Sequence, residues 1–392
     1  MIKYIGSKRV LLPRLLRVVE ALPDVQTVAD LFSGTARVAH ALKRRGYRVV
    51  ANDHLCYAHV LARCYVQADA RRVLPQARAV IAELRTVRPQ AGYFTETFCV
   101  RSRYFHPKNG ERIDAIRERI AEMCLEPDVE AVALASLMEA ADRVDSTTGV
   151  QMAYLKTWAP RALRDLELRV PEVLPGYGAA LRMDAVEAAK VVEADLVYLD
   201  PPYNQHSYLG NYHVWETLVR WDNPPVYGVA CKRVDCRDYD SAFNSKRRIH
   251  DALRRIVTSV RASYLLVSFN NEGFVTKEQM ADLLGERGYV ATVEVDFKRY
   301  VGAQIGVYNP RGEKVGRPGP LRNTEYLFLV GPDAAVVQRA VAASAGSIRP
   351  QTRSARSAAL AYRGSATARP TAGGPRRADC SGPVRAASRG RR

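Results

Sequence analysis

The chain is 392 residues long, 47% of them hydrophobic, and carries a formal charge of +18. These values describe a soluble globular protein with room for two or three domains, and the positive balance points to a polyanionic partner such as nucleic acid. The charge is not confined to one end: residues 333–392 hold twelve Arg and two Asp, which leaves +8 on residues 1–332.

Seven cysteines are scattered along the chain without a CxxC or Cys/His cluster, so no metal site is expected and the thiols read as reduced. The first residues lack a long apolar run and no stretch reaches membrane length, from which no signal peptide, no membrane span and a cytoplasmic location are expected.

In chain order, the first motif is Tyr4-Ile5-Gly6-Ser7-Lys8 with Leu11-Leu12-Pro13 behind it, a basic segment whose composition alone assigns it no role. Residues 25–31 read as a short buried strand reaching Asp30, followed by the turn Phe32-Ser33-Gly34-Thr35. A helix over 36–45 stops at Gly46, and a second strand over 47–51 ends in Asn52-Asp53. Strand, glycine turn, helix and a strand ending in a carboxylate form the opening unit of a nucleotide-binding α/β sheet.

Between Asp53 and Asp200 lies far more chain than one or two strand–helix repeats require, so an inserted structure is expected at 64–171. It contains Asn109-Gly110, read as a turn, and helices over 111–123 and 129–142. Arg101, Arg103, Lys108 and Arg112 alternate with Tyr93, Phe94, Phe98, Tyr104 and Phe105. That mixture suits a nucleic-acid surface and suits equally a small core with a charged outer face.

Further strands are expected over 194–199, 264–269, 291–295 and 325–330, with a helix over 247–261. The alternation predicts a mostly parallel sheet covered on both faces, its last strand antiparallel after a Gly/Pro-rich connection over 299–323. Past residue 332 the composition turns to Ala, Arg, Ser, Gly and Pro, and apart from one helical segment over 334–343 the tail reads as disordered. The domains are thus 1–63 and 172–332 for the catalytic sheet, 64–171 for the insertion and 333–392 for the tail.

The strongest chemical signal is Asp200-Pro201-Pro202-Tyr203 at the end of the 194–199 strand. The exocyclic amine of adenine is a poor nucleophile because its lone pair is conjugated into the ring. To accept a methyl group it must move toward tetrahedral geometry while acceptors hold its hydrogens. Asp200 offers a carboxylate and Pro201 a backbone carbonyl, and the fixed φ of Pro201 and Pro202 stiffens both. Tyr203 offers a flat face to an extruded base. Asp rather than Asn at the first position argues against protein glutamine methylation, which uses a related tetrapeptide. The weaker motif around Asp30 and Gly34, with Asp53 some twenty residues on, suits a cofactor that carries a ribose diol; without GxGxxG it does not suit a dinucleotide.

The order of these motifs resembles the Dam-like DNA adenine methyltransferases of the alpha arrangement, over about residues 1–330. Arg103-Tyr104-Phe105, Asn109-Gly110, Arg112-Ile113-Asp114, Asn211-Tyr212-His213, Glu216-Thr217, Lys298-Arg299-Tyr300 and Asn323-Thr324-Glu325-Tyr326 are similar to the family's larger-insert members. The resemblance implies a Rossmann-like methyltransferase sheet with an inserted, mainly helical target-recognition domain. It implies S-adenosylmethionine as cofactor and duplex DNA as substrate. Tyr4, Gly6 and Lys8 then close over the cofactor, Asp30 and Gly34 hold its methionine part, Asp53 its ribose and Asp184 its adenine. Asp200, Pro201, Pro202 and Tyr203 take the catalytic roles. Ala36 stands where family members often have a second glycine, from which a slightly reshaped loop is expected. Methylation of RNA, a DNA-binding protein on a degenerate scaffold, and a companion restriction endonuclease are left open by the sequence.

Overall fold

The computed structural model describes residues 1–155, 157–298 and 322–345. In chain order its first elements are α1 (Leu12–Glu20), β1 (Thr27–Asp30), α2 (Arg37–Arg44), β2 (Arg48–Asn52) and α3 (Cys56–Ala62). Helices α4 (Ala70–Thr86), α5 (Tyr93–Thr95), α6 (Pro107–Glu122) and α7 (Pro127–Arg143) follow, before β3 (Gly178–Leu181), α8 (Ala185–Val191) and β4 (Leu196–Leu199). Next come α9 (Tyr208–Asn211), α10 (His213–Arg220), the short strands β5 (Val226–Tyr227) and β6 (Lys232–Arg233), and α11 (Ile249–Ser259). Strand β7 (Tyr264–Asn270), α12 (Lys277–Gly285), β8 (Tyr289–Lys298), β9 (Arg322–Gly331) and α13 (Ala334–Ala343) complete the described chain.

Seven strands form one sheet in the order β3-β2-β1-β4-β7-β9-β8. Neighbours from β3 to β7 are parallel, whereas β9 runs antiparallel to both β7 and β8. The expected reversed last strand is therefore β9, inserted between β7 and β8. The apolar alternation along the strands feeds two layers. Val28, Leu196, Tyr198, Leu266 and Leu329 face α1, α2 and the helices of the 64–171 region. Ala29, Val197, Leu199, Val267 and Phe328 face α8, α11 and α12.

The 64–171 region is mainly helical, and its core is continuous with the sheet layer. Helix α7 is buried nearly all round, from Val129 to Asp142, as its Ala- and Leu-rich sequence dictates. Four of the aromatics in the mixed basic segment, Phe94, Phe98, Tyr104 and Phe105, are fully buried. They form a core rather than a stacking surface. Of the interleaved cations, Lys108 pairs with Asp165 and Arg112 bonds the Val87 carbonyl.

Asn109-Gly110 is not a turn: both residues lie in the first coil of α6, which begins at Pro107 behind the His106 cap. Tertiary contacts override the local signal here. The Asn109 amide donates to the carbonyls of Ala162 and Arg164 and accepts from Leu166 N. A Cβ on Gly110 would sit 2.4 Å from Cys99 Sγ. Asp114, one coil further, takes the amides of Gly92, Phe94 and Thr95, so this stretch builds the scaffold.

Strand β3 and the β5–β6 hairpin carried no alternation to reveal them: β3 is Gly-Ala-Ala-Leu, half-buried throughout. Residues 299–321, with Arg299-Tyr300 of the similarity, and the tail from 346 lie outside the described residues.

Candidate active site

Asp30 closes β1 and Asp200 follows β4, and these two strands are neighbours in register, Asp30 opposite Tyr198. The chain leaves this pair in opposite directions, toward β2 on one side and β7 on the other. Ligand clefts of open α/β sheets form at such a switch point, beyond the carboxyl ends of the strands.

One cleft there is lined by Tyr4, Gly6, Lys8, Asp30, Gly34, Asp53 and Asp184, together with Asp200 and Pro202. The structure thus brings together all seven residues that the resemblance assigned to the cofactor. Pro201 is buried at the corner. Tyr203 faces instead a small adjoining cavity with Ile5, Asn204, His206, Tyr208 and Asn211, and Tyr208 lines both spaces.

The loop after β1 is held by backbone geometry. Gly34 adopts φ +50°, and a Cβ there would approach the Tyr4 ring to 3.1 Å. Its amide donates to Asp53 Oδ2 at 3.0 Å, while Asp53 Oδ1 accepts from Leu55 N. Ala36 takes the left-handed conformation itself, φ +58°, one that a glycine would adopt without strain. The hydroxyl of Ser33, on the same loop and lining the cleft, is buried without a partner among the described residues.

Asn52 ties the strand ends together: its amide bonds the Leu31 and Met183 carbonyls and accepts from Met183 N. Asp184 uses one carboxylate oxygen to cap α8 through Val186 N. The segment between β6 and α11 adds Tyr239 and Phe243 to the cleft wall, with Tyr239 Oη 2.6 Å from His54 Nε2 and Phe243 edge-on to Phe32.

The N-terminal motif lies against an aromatic stack. Tyr4 stacks on Tyr208 and Tyr212 at centroid distances of 5.3 and 4.6 Å, and Tyr212 Oη accepts from Ile5 N at 2.6 Å. Glu216, fully enclosed, accepts from the amides of Cys56 and Tyr57 at the start of α3. The similar stretches around Tyr212 and Glu216 therefore support the cleft.

Lys8 does more than border the cleft. Its Nζ lies 3.0 Å from Asp200 Oδ1 and 3.1 Å from Glu325 Oε2. Burial alone would lower the Lys8 ammonium, but Asp200 and Glu325 outweigh it and hold the group well above its usual range. Burial pushes the Asp200 carboxyl up to about 6, against the pull of Lys8 and with help from Glu325. Asp30 is raised well above its usual range by burial and then by Asp200. Asp200 Oδ2 and the Pro201 carbonyl take no hydrogen bond from any described residue.

Lys8 was expected only against a cofactor, and Glu325 only as part of a similar stretch. The signal that could have exposed Glu325 is a carboxylate opening an otherwise apolar strand, since a buried charge needs a counter-ion.

A reversed strand beside a parallel sheet, with a glycine loop and a carboxylate–proline corner meeting at its switch point, defines the class of Rossmann-like methyltransferases. Within that class the description "D12 class N6 adenine-specific DNA methyltransferase" matches residues 4–280, and the chain belongs to this family. It is 29% identical over 324 residues to the modification methylase StsI of Streptococcus sanguinis, which covers 77% of this chain and 49% of that protein. The type II methyltransferase M.NlaIII of Neisseria lactamica is 29% identical over 282 residues, 69% of this chain and 83% of its own. M.CviAII of Paramecium bursaria Chlorella virus 1 is 27% identical over 340 residues, 84% and 98% of the respective chains. The chain spans about half the length of StsI and nearly all of M.CviAII.

Proposed function

We propose that the protein methylates the N6 amine of adenine at a specific site in duplex DNA, with S-adenosylmethionine as donor. The observation that carries this reading is that Asp200, its Oδ2 without a hydrogen bond among the described residues, shares one cleft with the Gly34 loop and the carboxylates of Asp53 and Asp184.

The cleft's donor and acceptor set fits the cofactor. The Ser33 hydroxyl, without a partner among the described residues, and the backbone of Gly34, where no Cβ stands, suit the methionine end. Asp53 suits the ribose diol and Asp184 the adenine amine. When bound, S-adenosylmethionine supplies a methyl group already activated for direct displacement.

Asp200 Oδ2 and the Pro201 carbonyl accept the two hydrogens of the amine, releasing its lone pair from the ring. Lys8 holds Oδ1 and so fixes the carboxylate plane. Tyr203 presents its face to the extruded base within the cavity it shares with Asn211 and Tyr208. Stacking of that kind is worth about 1–3 kcal/mol per base and offsets part of the cost of extrusion. The family favours DNA over RNA as substrate, and the names of its relatives extend the proposal to protection beside an endonuclease of the same specificity.

The test is to sequence methylated adenines in DNA from a host expressing the chain, beside a host expressing Asp200→Ala. A single adenine-containing motif methylated only by the parent protein supports the proposal. Unmodified DNA, with label from the cofactor appearing in RNA instead, would overturn it.

A further inference from the structure

The catalytic corner holds one more charged group than its geometry requires. Lys8 and Asp200, 3.0 Å apart, already form a neutral pair. Glu325 adds a second carboxylate 3.1 Å from the same ammonium, and its side chain is only 10% exposed. It comes from β9, where it pairs in register with Asn270 of β7 and Val295 of β8, two strands away from Asp200. Burying a carboxylate in a central strand is costly unless it is answered by a cation, and here the cation is already engaged.

The sum over Lys8, Asp200 and Glu325 is one negative charge. Asp30, the next carboxyl along the cleft, is raised by burial and by Asp200, which opposes a further negative charge there. Removing Glu325 would leave the corner neutral. Glu325 does not itself line the cleft, whereas Lys8 and Asp200 do, so its charge acts through them.

We infer that Glu325, acting through Lys8, is a positioning residue that gives the corner net negative charge and thereby selects the donor's sulfonium cation over the neutral thioether left after transfer. This rests on the reading of the cleft as the donor site. A site that prefers the cation binds fresh donor and lets the spent one go; a neutral corner would leave that preference to the more distant carboxylates of the cleft, such as Asp53 and Asp184. A charge a few ångströms from a partly enclosed site is worth a factor of about ten in affinity.

The test is calorimetric titration of the full chain with S-adenosylmethionine and with S-adenosylhomocysteine, at low salt and without DNA. In Glu325→Gln the sulfonium-to-thioether affinity ratio is expected to fall about tenfold, with thioether affinity little changed and Glu325→Asp restoring most of the ratio. Titration of the parent protein keeps the test where the variant does not fold: the sulfonium is expected to bind about tenfold tighter than the thioether. Equal affinities in the parent, or an unchanged ratio in folded Glu325→Gln, would overturn the inference alone. A parent protein that binds neither ligand would overturn the donor-site reading beneath it.

Discussion

The amide of Gly34 donates to Asp53 Oδ2 at 3.0 Å, fastening the loop after β1 to the end of β2. One bond thus fixes both the floor of the cleft and the carboxylate at its side. Gly34→Ala forces a side chain into φ +50° and against the Tyr4 ring. The strained conformation costs about 1–2 kcal/mol. Calorimetry is expected to show affinity for S-adenosylmethionine reduced by about tenfold or more, with a lower unfolding midpoint. Parent-like affinity would remove the loop from the cofactor site.

Ala36 holds a left-handed conformation without being glycine. Ala36→Gly is expected to stabilise the fold by up to about 1 kcal/mol, the relief of strain less the extra freedom of the unfolded chain. A urea denaturation series measures the sign, and activity should be retained.

Asp200→Ala removes the proposed acceptor and is expected to lower kcat by about 10²-fold or more while DNA binding persists. Burial, opposed by Lys8 and aided by Glu325, sets the Asp200 carboxyl at about 6, above its usual 3.8. Since the acceptor must be ionised, kcat is expected to fall about tenfold per pH unit below 6. A raised carboxyl binds more protons in the folded than in the unfolded chain. Its contribution to stability is therefore fully present below the unfolded value and is lost as pH rises through about 6. Acid loss of turnover should thus precede unfolding, which parallel rate and circular dichroism profiles would reveal.

Tyr203 lies edge-on to Phe269 and lines the small cavity beside the corner. Tyr203→Ala is expected to weaken productive DNA binding by about 10–100-fold through lost stacking, with S-adenosylmethionine affinity unchanged. A fluorescent base analogue at the target position would report the loss of a stacked, extruded base. Equal losses for DNA and cofactor would argue against that role.

Gly110 is packed against Cys99 and the Thr95 backbone inside α6. Gly110→Ala would be favoured by helix propensity alone, yet overpacking is expected to destabilise by about 1–3 kcal/mol. A stabilised variant would mean that this helix stands further from its neighbours.

The sequence alone determined the reversed final strand, the residues at the strand ends and every strand of the sheet except β3. Those signals are local: apolar runs, turn residues and a carboxylate at a strand terminus are read within a few neighbours. Tyr4, Asp30, Asp53 and Asp200 therefore converge as the motif order implied. Tertiary structure alone decided that Phe94, Phe98, Tyr104 and Phe105 form a core, that Asn109-Gly110 begins a helix, and that Lys8 is shared by Asp200 and Glu325. Each depends on which distant surface comes to rest against the residue. Lys8, in the segment ahead of α1, and Glu325 of β9 are 317 positions apart and acquire a common environment only in the folded chain. Burial then makes their charges matter, because away from water an unanswered charge costs more than the local pattern can record.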